Sequence, residues 1–481
     1  MIERLAVIVR KILPKNKFAR GVGVLVGGTA GAQVLMILAS PVLTRLYTPD
    51  DFGLLAVYMG LLALFTVVAS FMYELAIPLP ETHKEAANIL VLSLLIVLST
   101  TAVSAALILI IGEQIANQLD APKLANYLWL LPVGVFLSGC YKVFNYWAIR
   151  TKSFSSIAKT RVSQSLATIA VQLLGFKLGG AALLLGQAGG QGVGSVRLAK
   201  SALRHPEFRR WQWAGVWHAA KRYKRFPIYS TWSGFANTAG VQLPPLLFAS
   251  LFSAGAAGLY ALAHRVLSLP MSLIGQAVGQ VFFSGAAEAH REGRLGTLVI
   301  SLHSRLSAIA MPPALILVIA GPELFRMVFG ESWYQAGVFA RWMAPWLYFV
   351  FATSPLSTLF SVIEKQGSGL VFQLVLLTTR VGSMIIGAHT GNLLLTIILF
   401  SSVSALCWIG FMFWIGYHAG KCSLFLLRTT CKDILKSLLF TAPLFLGVGL
   451  FGFNGYQWLI ALAATLFIIC VHYFFILKKA Y

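Results

Sequence analysis

The amino-acid sequence predicts an all-α polytopic membrane protein with about 14 transmembrane helices. Of its 481 residues, 58% are hydrophobic and 11% are charged, whereas a soluble domain carries about 25% charged residues. The mean hydropathy is +0.78, so a water-soluble fold would have almost no polar exterior. Lys and Arg outnumber Asp and Glu by 38 to 15. These bases lie in short segments between apolar runs, which argues against nucleic acid as a partner.

Fourteen apolar segments are long enough to cross the hydrocarbon core, which takes about 20 residues of helix. They are residues 21–43, 53–78, 88–111, 126–148, 157–177, 180–198, 228–250, 257–285, 298–320, 337–361, 368–387, 391–416, 437–452 and 457–477. The loops between them on the predicted outer side are too short to hold a folded extracellular domain.

The distribution of Lys and Arg predicts the topology. With the N-terminus inside, 29 of the 38 bases fall in cytoplasmic segments and four in outer loops. Because Lys and Arg are retained on the cytoplasmic side, this asymmetry indicates an even number of spans with both termini in the cytoplasm. The largest basic segment, residues 197–227, carries nine bases. It is interpreted as a solvated linker, with an amphipathic arm on anionic lipid as the alternative.

The basic segment also divides the chain. The predicted parts are a cytoplasmic basic tail (1–20), an N-terminal six-helix lobe (21–198), a basic cytoplasmic connector (199–227), a C-terminal six-helix lobe (228–416) and two additional transmembrane helices (417–481). A weak repeat relates the lobes, since Pro41 precedes Gly53 as Pro245 precedes Gly258, each between the first and second span of its lobe. Six spans per lobe is an even number, so the two repeats would be parallel.

Rows of glycine at a spacing of four predict close approach of helix backbones in lipid. They comprise Gly23, Gly27 and Gly31 in the first span, Gly186, Gly190 and Gly194 in the sixth, and Gly275 and Gly279 in the eighth. The chain contains no Walker loop, HExxH or GxSxG motif, so we expect a transporter rather than an enzyme, with no cofactor and no metal. The five cysteines form no CxxC pair and are expected to be free thiols.

Charged residues inside the spans are candidate functional residues, because each costs about 2.5–3.5 kcal/mol to insert. The predicted spans contain Lys142, Arg265, Arg305, Arg341 and Arg380, with His264 beside Arg265. Arginines that face a shared cavity would suit an anionic substrate such as a pyrophosphate. Arg341 and Lys142 are equally compatible with anchors that reach the membrane interface.

Glu74 is the one acid that the prediction places well inside a span. It is a candidate for ion coupling, with H⁺ or Na⁺ as the ion, or for an ion pair with an Arg. His264 is a candidate proton carrier, although a histidine in a helix bundle is more often a hydrogen-bonded packing residue.

Four segments carry a family resemblance. SPVLTRLYTPDDFGLLAVY (40–58), MYELAI (72–77), RTKSFSSIAKTR (150–161) and AGLYALAHRVLSLPMSLIGQAVGQVFF (257–283) resemble the Wzx-type polysaccharide (O-antigen) flippases. These proteins belong to the polysaccharide-transport branch of the multidrug/oligosaccharidyl-lipid/polysaccharide (MOP) exporter superfamily. Arg45 and Glu74 match motif positions of that family directly.

The resemblance implies two six-helix lobes in a V shape plus two C-terminal helices. It further implies a flippase that moves an undecaprenyl-pyrophosphate-linked oligosaccharide across the cytoplasmic (inner) membrane by alternating access, for O-antigen or exopolysaccharide biosynthesis. A cationic cavity would receive the pyrophosphate, and Arg265, Arg305, Arg380, Arg341, Lys142 and Arg45 are assigned to it. Membrane lipids and other polysaccharide-assembly membrane proteins are the expected partners. The alternatives are a cation-coupled multidrug antiporter and a membrane polysaccharide polymerase or ligase.

Overall fold

The computed structural model describes residues 17–119, 121–204, 206, 208, 211–269, 271, 275–453 and 456–479. Within these ranges every regular element is a helix, which confirms the predicted all-α class. Most of the predicted cytoplasmic tail, residues 1–16, lies outside the described residues, as do 205, 207, 209 and 210 of the connector. The chain divides into two compact units, Met1–Gly258 and Leu259–Tyr481.

Eight helices of at least ten residues lie entirely within the described part of the first unit. They are α1 (Lys17–Leu46), α2 (Pro49–Val68), α3 (His83–Gln118), α4 (Leu130–Arg150), α5 (Phe154–Leu174), α6 (Gly180–Leu203), α7 (Trp213–Arg222) and α8 (Thr231–Leu251). Helix α9 (Ala254–Leu267) begins in the first unit and continues into the second. A 3₁₀ turn, Tyr73–Ala76, follows α2, and a π-helical turn, Phe226–Ser230, precedes α8.

The helices of the second unit include two of the longest in the chain. They are α10 (Gln276–Arg291), α11 (Leu295–Phe329), α12 (Tyr334–Thr353), α13 (Gln366–His389), α14 (Leu393–His418), α15 (Ser423–Phe451) and α16 (Gln457–Lys479). Helix α11 packs along α12 and α15, α12 and α13 both pack on α14, and α16 packs on α15. The last two helices are therefore integrated into the second unit.

Every predicted span overlaps a helix, but the count of fourteen remains a prediction. Within the described residues, eight helices are long and apolar enough to cross a membrane by themselves. The predicted span 257–285 overlaps α9 and α10, and residues 270 and 272–274 between them lie outside the described residues. The predicted span 437–452 is only the second half of α15. Hydropathy identifies the apolar part of a helix but not its first and last residues, because the ends of a helix often carry polar residues.

The prediction that glycine rows pack closely against neighbouring helices holds for α6 but not for α1. In α6, a Cβ at Gly186 would lie 3.0 Å from the carbonyl oxygen of Thr168 on α5, which confirms close packing of that row. In α1 the prediction is wrong, because Gly27 and Gly31 have no neighbour within 4 Å. Gly28 makes the contact instead, since a Cβ at Gly28 would lie 2.8 Å from the Cα of Ala158 on α5. The spacing identified the helix but not the face that packs.

Part of the connector is a folded helix rather than a solvated linker. Val216 and Ala219 on α7 are buried, and α7 packs against α3. The backbone N–H of Gln212 donates to the side-chain oxygen of Asn88 at 3.0 Å, and Arg222 pairs with Glu85 at 2.9 Å. The solvated-linker prediction is therefore wrong for this segment, because its two small apolar residues lie one turn apart and cover the start of α3.

Candidate functional site

An arginine surrounded by aromatic rings lies among the helices of the second unit. The guanidinium of Arg380 on α13 is 4.8 Å from the ring centre of Trp346 and 5.6 Å from that of Phe400. Its Nε donates to the hydroxyl of Ser404 at 2.9 Å. His264 stacks on Trp346 with ring centres 6.0 Å apart and on Tyr260 at 5.6 Å. The structure thus brings Arg380 and His264 into one group, which we call the arginine–aromatic cluster: Tyr260, His264, Trp346, Arg380, Phe400 and Ser404.

The cluster fixes the guanidinium and leaves donors unused. Cation–π contacts and the bond from Nε hold the group in place, while its terminal N–H groups donate to no residue in the described part of the chain. A guanidinium carries five N–H donors in a planar fork that matches two oxygens of a phosphate or carboxylate. The terminal N–H groups of Arg380 are therefore donors of the kind that binds an oxyanion.

Arg265 and Arg305 lie in the same unit but are not part of this cluster. Arg265 is half-buried on α9, one residue from His264 and hence about 100° away around the helix. Arg305 is on the exposed side of α11. In the described ranges neither arginine makes an ion pair with an acidic side chain. The predicted spans correctly placed these residues within helices. They did not show that, of the candidate residues in the second unit, Arg380 and His264 are the two that come together.

Arg341 and Arg45 have different surroundings. The guanidinium of Arg341 on α12 donates to the backbone carbonyl of Ile319 on α11 at 3.0 Å, beside the close contact between Gly321 and Gly337. This bond joins the two helices near the end of their hairpin. Arg45 is exposed in the last turn of α1, where a cation interacts favourably with the helix dipole.

Glu74 lies at a break in the helix that the sequence predicts as a continuous span over 53–78. Helix α2 ends at Val68, and the chain then turns through Phe71 (φ 47°) and Met72 (φ 59°). Left-handed backbone is unfavourable for bulky residues, and such strain is concentrated at functional sites. The 3₁₀ turn Tyr73–Ala76 follows and holds Glu74 with 2% of its surface exposed.

The break is stabilised by two neighbouring helices. The ammonium of Lys142 on α4 donates to the carbonyl of Thr66 at 3.0 Å, and the hydroxyl of Thr100 on α3 is 2.7 Å from the carbonyl of Ala69. These carbonyls belong to the last turn of α2, where no intrahelical donor remains. Ser70 donates to the carboxylate of Glu74, and Lys142 interacts electrostatically with the same carboxylate. Lys142 is therefore the positive charge near Glu74, although no salt bridge joins them within the described residues. The predicted role of Glu74 in ion coupling or in an ion pair with an Arg stays a prediction.

Arg150 is a residue whose role sequence reasoning missed. Its guanidinium lies at the end of α4 and donates to the backbone carbonyl of Pro80 at 2.6 Å and to those of Ile77 and Pro78 at 3.3 Å. It thereby holds the loop that leads from the Glu74 turn to α3. The signal in the sequence is the pair Pro78 and Pro80, which interrupts regular backbone hydrogen bonding. Carbonyl groups in such a segment need another donor, and a nearby arginine can supply it.

Asp433 is the second omission. The sequence places it in a cytoplasmic segment, but it is buried within α15 with 6% of its surface exposed. A stripe of small polar residues on that helix, Thr430, Asp433, Ser437 and Thr441, is buried at helical spacing. The spacing of these residues in the sequence could have identified Asp433, because polar residues on one face of an apolar helix indicate a polar contact between helices. Among the described residues, no group of three or more His, Cys, Asp or Glu could hold a metal ion.

Comparisons with known proteins agree with this architecture. The model of the family described as "Polysaccharide biosynthesis protein" matches residues 42–337. The succinoglycan biosynthesis transport protein ExoT of Rhizobium meliloti (strain 1021) is 23% identical over 429 residues, covering 83% of this chain and 80% of that protein.

Two solved structures share the fold. The lipid II flippase MurJ in an inward closed conformation superposes with a TM-score of 0.71 at 13% identity, covering 95% of this chain and 99% of that one. An inward-facing multidrug resistance MATE family transporter of the MOP superfamily gives a TM-score of 0.66 at 16% identity, covering 81% and 95%.

Proposed function

Because the chain belongs to the family of polysaccharide biosynthesis proteins, we propose that it is a flippase for a lipid-linked oligosaccharide. The substrate is an oligosaccharide unit on undecaprenyl pyrophosphate, which the protein moves from the cytoplasmic to the outer leaflet of the cytoplasmic membrane by alternating access. The proposal includes the predicted topology, with both termini in the cytoplasm.

The observation that carries the proposal is the unpaired positive charge in the second unit. Arg265, Arg305 and Arg380 lie on helices otherwise rich in apolar residues, and none has an acidic partner in the described parts of the chain. Charged groups within a membrane are normally paired or face a polar cavity. A substrate with a pyrophosphate group supplies the missing negative charge during transport.

Arg380 is the proposed first contact of the pyrophosphate. The ring faces of Trp346 and Phe400 and the hydroxyl of Ser404 hold the guanidinium so that its terminal N–H groups are free to bind two phosphate oxygens. A bidentate contact of this kind offsets part of the large cost of moving an anion out of water. Arg265 and Arg305 supply further positive charge along the route, where several weak contacts allow the substrate to leave again.

The energy for this process is proposed to come from ion gradients or from consumption of the substrate on the outer side. The sequence contains no nucleotide-binding loop and no hydrolase motif. The alternative of a multidrug antiporter is favoured by one observation, the buried carboxylate of Glu74, since such carriers bind cations. The carboxylate of Glu74 already accepts a bond from Ser70 and interacts electrostatically with the ammonium of Lys142, which makes it a poor site for a second cation.

A vesicle assay tests the proposal. The purified protein is reconstituted with undecaprenyl-pyrophosphate-linked oligosaccharide, and the fraction of sugar that a glycosidase outside the vesicles can cleave is followed with time. We expect the wild-type protein to make nearly all of the sugar cleavable, and empty vesicles to stop near half. Arg380→Gln should slow the process at least tenfold, whereas Arg291→Gln, an exposed residue at the end of α10, should not.

Deletion of the gene provides the cellular test. We expect loss of surface polysaccharide, with lipid-linked units retained on the cytoplasmic leaflet, and rescue by the wild-type gene but not by a variant with Glu at positions 265, 305 and 380. Normal surface polysaccharide in the deletion strain, together with increased drug resistance on overexpression, would establish the antiporter instead.

A further inference from the structure

A buried chain of hydroxyl groups leads to a carboxylate in the second unit. The hydroxyl of Ser307 on α11 donates to Oδ2 of Asp433 on α15 at 2.6 Å. The hydroxyl of Tyr348 on α12 is 2.8 Å from the oxygen of Ser307. Because the Ser307 proton is directed to Asp433, the phenol is the donor in the second bond. The three side chains come from three helices and are buried.

The chain continues one helical turn towards the starts of α11 and α15. Nε2 of His303 is 3.1 Å from the hydroxyl of Thr430, and Thr430 also interacts with the phenol of Tyr348. His303 precedes Ser307 by four residues and Thr430 precedes Asp433 by three, so each pair shares one helix face. The surface of His303 is 0% exposed. The two titratable groups thus lie at opposite ends of one row of buried polar side chains.

Packing between helices does not by itself account for a carboxylate at this position. In the described residues Asp433 forms no salt bridge, and a buried carboxylate without a cationic hydrogen-bond partner is costly. Ser437 and Thr441 are buried on the same stripe without any charge, and the hydroxyl of Thr441 donates to the carbonyl of Ser437 in its own helix at 2.9 Å. The cost disappears when the carboxylate takes up a proton, because the neutral carboxyl group can remain in the same hydrogen-bonded position.

The geometry favours a proton over a metal cation. Metal cations require several oxygens arranged around a central space at about 2.3–2.6 Å from the ion. Here the oxygens of Asp433, Ser307 and Tyr348 are in direct contact through hydrogen bonds of 2.6 and 2.8 Å, so there is no space between them. A line of hydroxyls that ends in a histidine and a carboxylate is instead the arrangement of proton relays in membrane proteins.

We propose that Asp433 is a proton-binding site, and that His303, Thr430, Tyr348 and Ser307 form the path by which the proton reaches it. Each group on the path releases its proton to the next acceptor and takes up one from the group before it, so every O–H or N–H bond that breaks is replaced. The net change is one proton added to a carboxylate oxygen of Asp433, whose charge changes from −1 to zero. The coupling of this event to transport rests on the proposed function, whereas the binding of the proton does not. The titratable and charged groups around the carboxylate are Lys432, Lys436 and Cys431 on α15, His472 on α16, Tyr348 on α12 and His303 on α11.

Infrared spectroscopy of the full-length protein in lipid nanodiscs tests the binding of the proton directly. We expect a carboxyl C=O stretching band that increases as the pH is lowered. Asp433→Asn, which keeps the shape of the side chain, should abolish it, and Glu288→Gln on the exposed side of α10 should not. Ser307→Ala should move the band to higher frequency, because the carboxyl group loses a hydrogen-bond donor. An unchanged band in either Asp433→Asn or Ser307→Ala would overturn the assignment, and the second variant decides the matter if the first does not fold.

The vesicle assay with an imposed pH gradient tests the coupling. Wild-type flipping should be faster with the gradient than without it, and Asp433→Asn should lose that difference while it retains the gradient-independent rate. Equal acceleration in Asp433→Asn would overturn the coupling. Failure of the flippase proposal has a different result, since the wild-type protein would then move no substrate in either condition although the infrared band would still titrate.

Discussion

Gly53 and Gly258 lie backbone against backbone in the first unit. A Cβ at Gly258 would be 2.7 Å from the backbone nitrogen of Gly53 and 2.0 Å from the carbonyl oxygen of Pro49. In return, a Cβ at Gly53 would be 1.7 Å from the carbonyl oxygen of Ala254. These are the two glycines of the internal repeat, so the corresponding positions of the repeat contact each other where α2 and α9 begin. The contact is reciprocal, because each glycine lies against backbone atoms at the start of the other helix.

Gly258→Ala should therefore destabilise the protein. The added methyl group meets backbone atoms rather than the flexible end of a side chain, and overpacking of this kind costs about 1–3 kcal/mol. We expect a lower unfolding temperature in detergent, measured by intrinsic fluorescence. Gly27→Ala is the matched control, because Gly27 has no neighbour within 4 Å and alanine is the better helix former. Equal unfolding temperatures for the two variants would contradict the close contact.

Asp51→Ala should disrupt the same region by a different route. One carboxylate oxygen of Asp51 accepts from the backbone and hydroxyl of Thr48 at 3.0 and 2.9 Å, and the other accepts from the N–H of Gly180 at 2.8 Å. The substitution removes the Asp51 half of the capping box at the start of α2 and a bond to α6, each about 1 kcal/mol. Thermal unfolding measures the loss, and the neighbouring exposed Asp50, changed to Ala, should have the smaller effect. The reverse order would show that Asp51 does not connect α2 to α6.

Lys142→Met should destabilise the protein strongly, although methionine is similar in size to lysine. It leaves the carbonyl of Thr66 without its donor and the buried Glu74 without its nearby positive charge, and a hydrogen bond to a charged group contributes about 1.5–3 kcal/mol. The double variant Lys142→Met, Glu74→Gln should regain part of the stability, since the unpaired carboxylate is then gone. A double-mutant cycle on unfolding temperature measures this. Strict additivity would mean that the two residues do not interact.

The outer face of α7 should lie in the lipid headgroup region. Trp213 and Trp217 are 66% and 64% exposed, one turn apart, and Lys221 lies over the Trp217 ring at 5.3 Å. Exposed tryptophan beside lysine is typical of helices at the membrane interface. In a cysteine-free background, a bimane dye on Trp217→Cys should be quenched by spin-labelled lipid more strongly than a dye on His218→Cys. Equal quenching would place the two faces of α7 in the same environment.

Several features were predictable because they depend on local sequence. In lipid each backbone N–H and C=O must be satisfied within its own helix, so an apolar segment of sufficient length forms one. This is why every predicted span overlaps a helix, and why Lys142, Arg265, Arg305, Arg341 and Arg380 were correctly assigned to helices. The break before Glu74 escaped prediction because the residues around it, Phe71 and Met72, are as apolar as those of a continuous span.

The sequence by itself determined the membrane class, the helical segments and the family likeness, because hydropathy and short motifs are properties of neighbouring residues. Tertiary structure alone decided which charged groups meet. Ser307 contacts Asp433 across 126 positions, and Arg380 reaches Ser404 through the packing of α13 on α14. Hydropathy measures how apolar a residue's surroundings in the sequence are, whereas the partner of a charged side chain depends on which helix faces pack together.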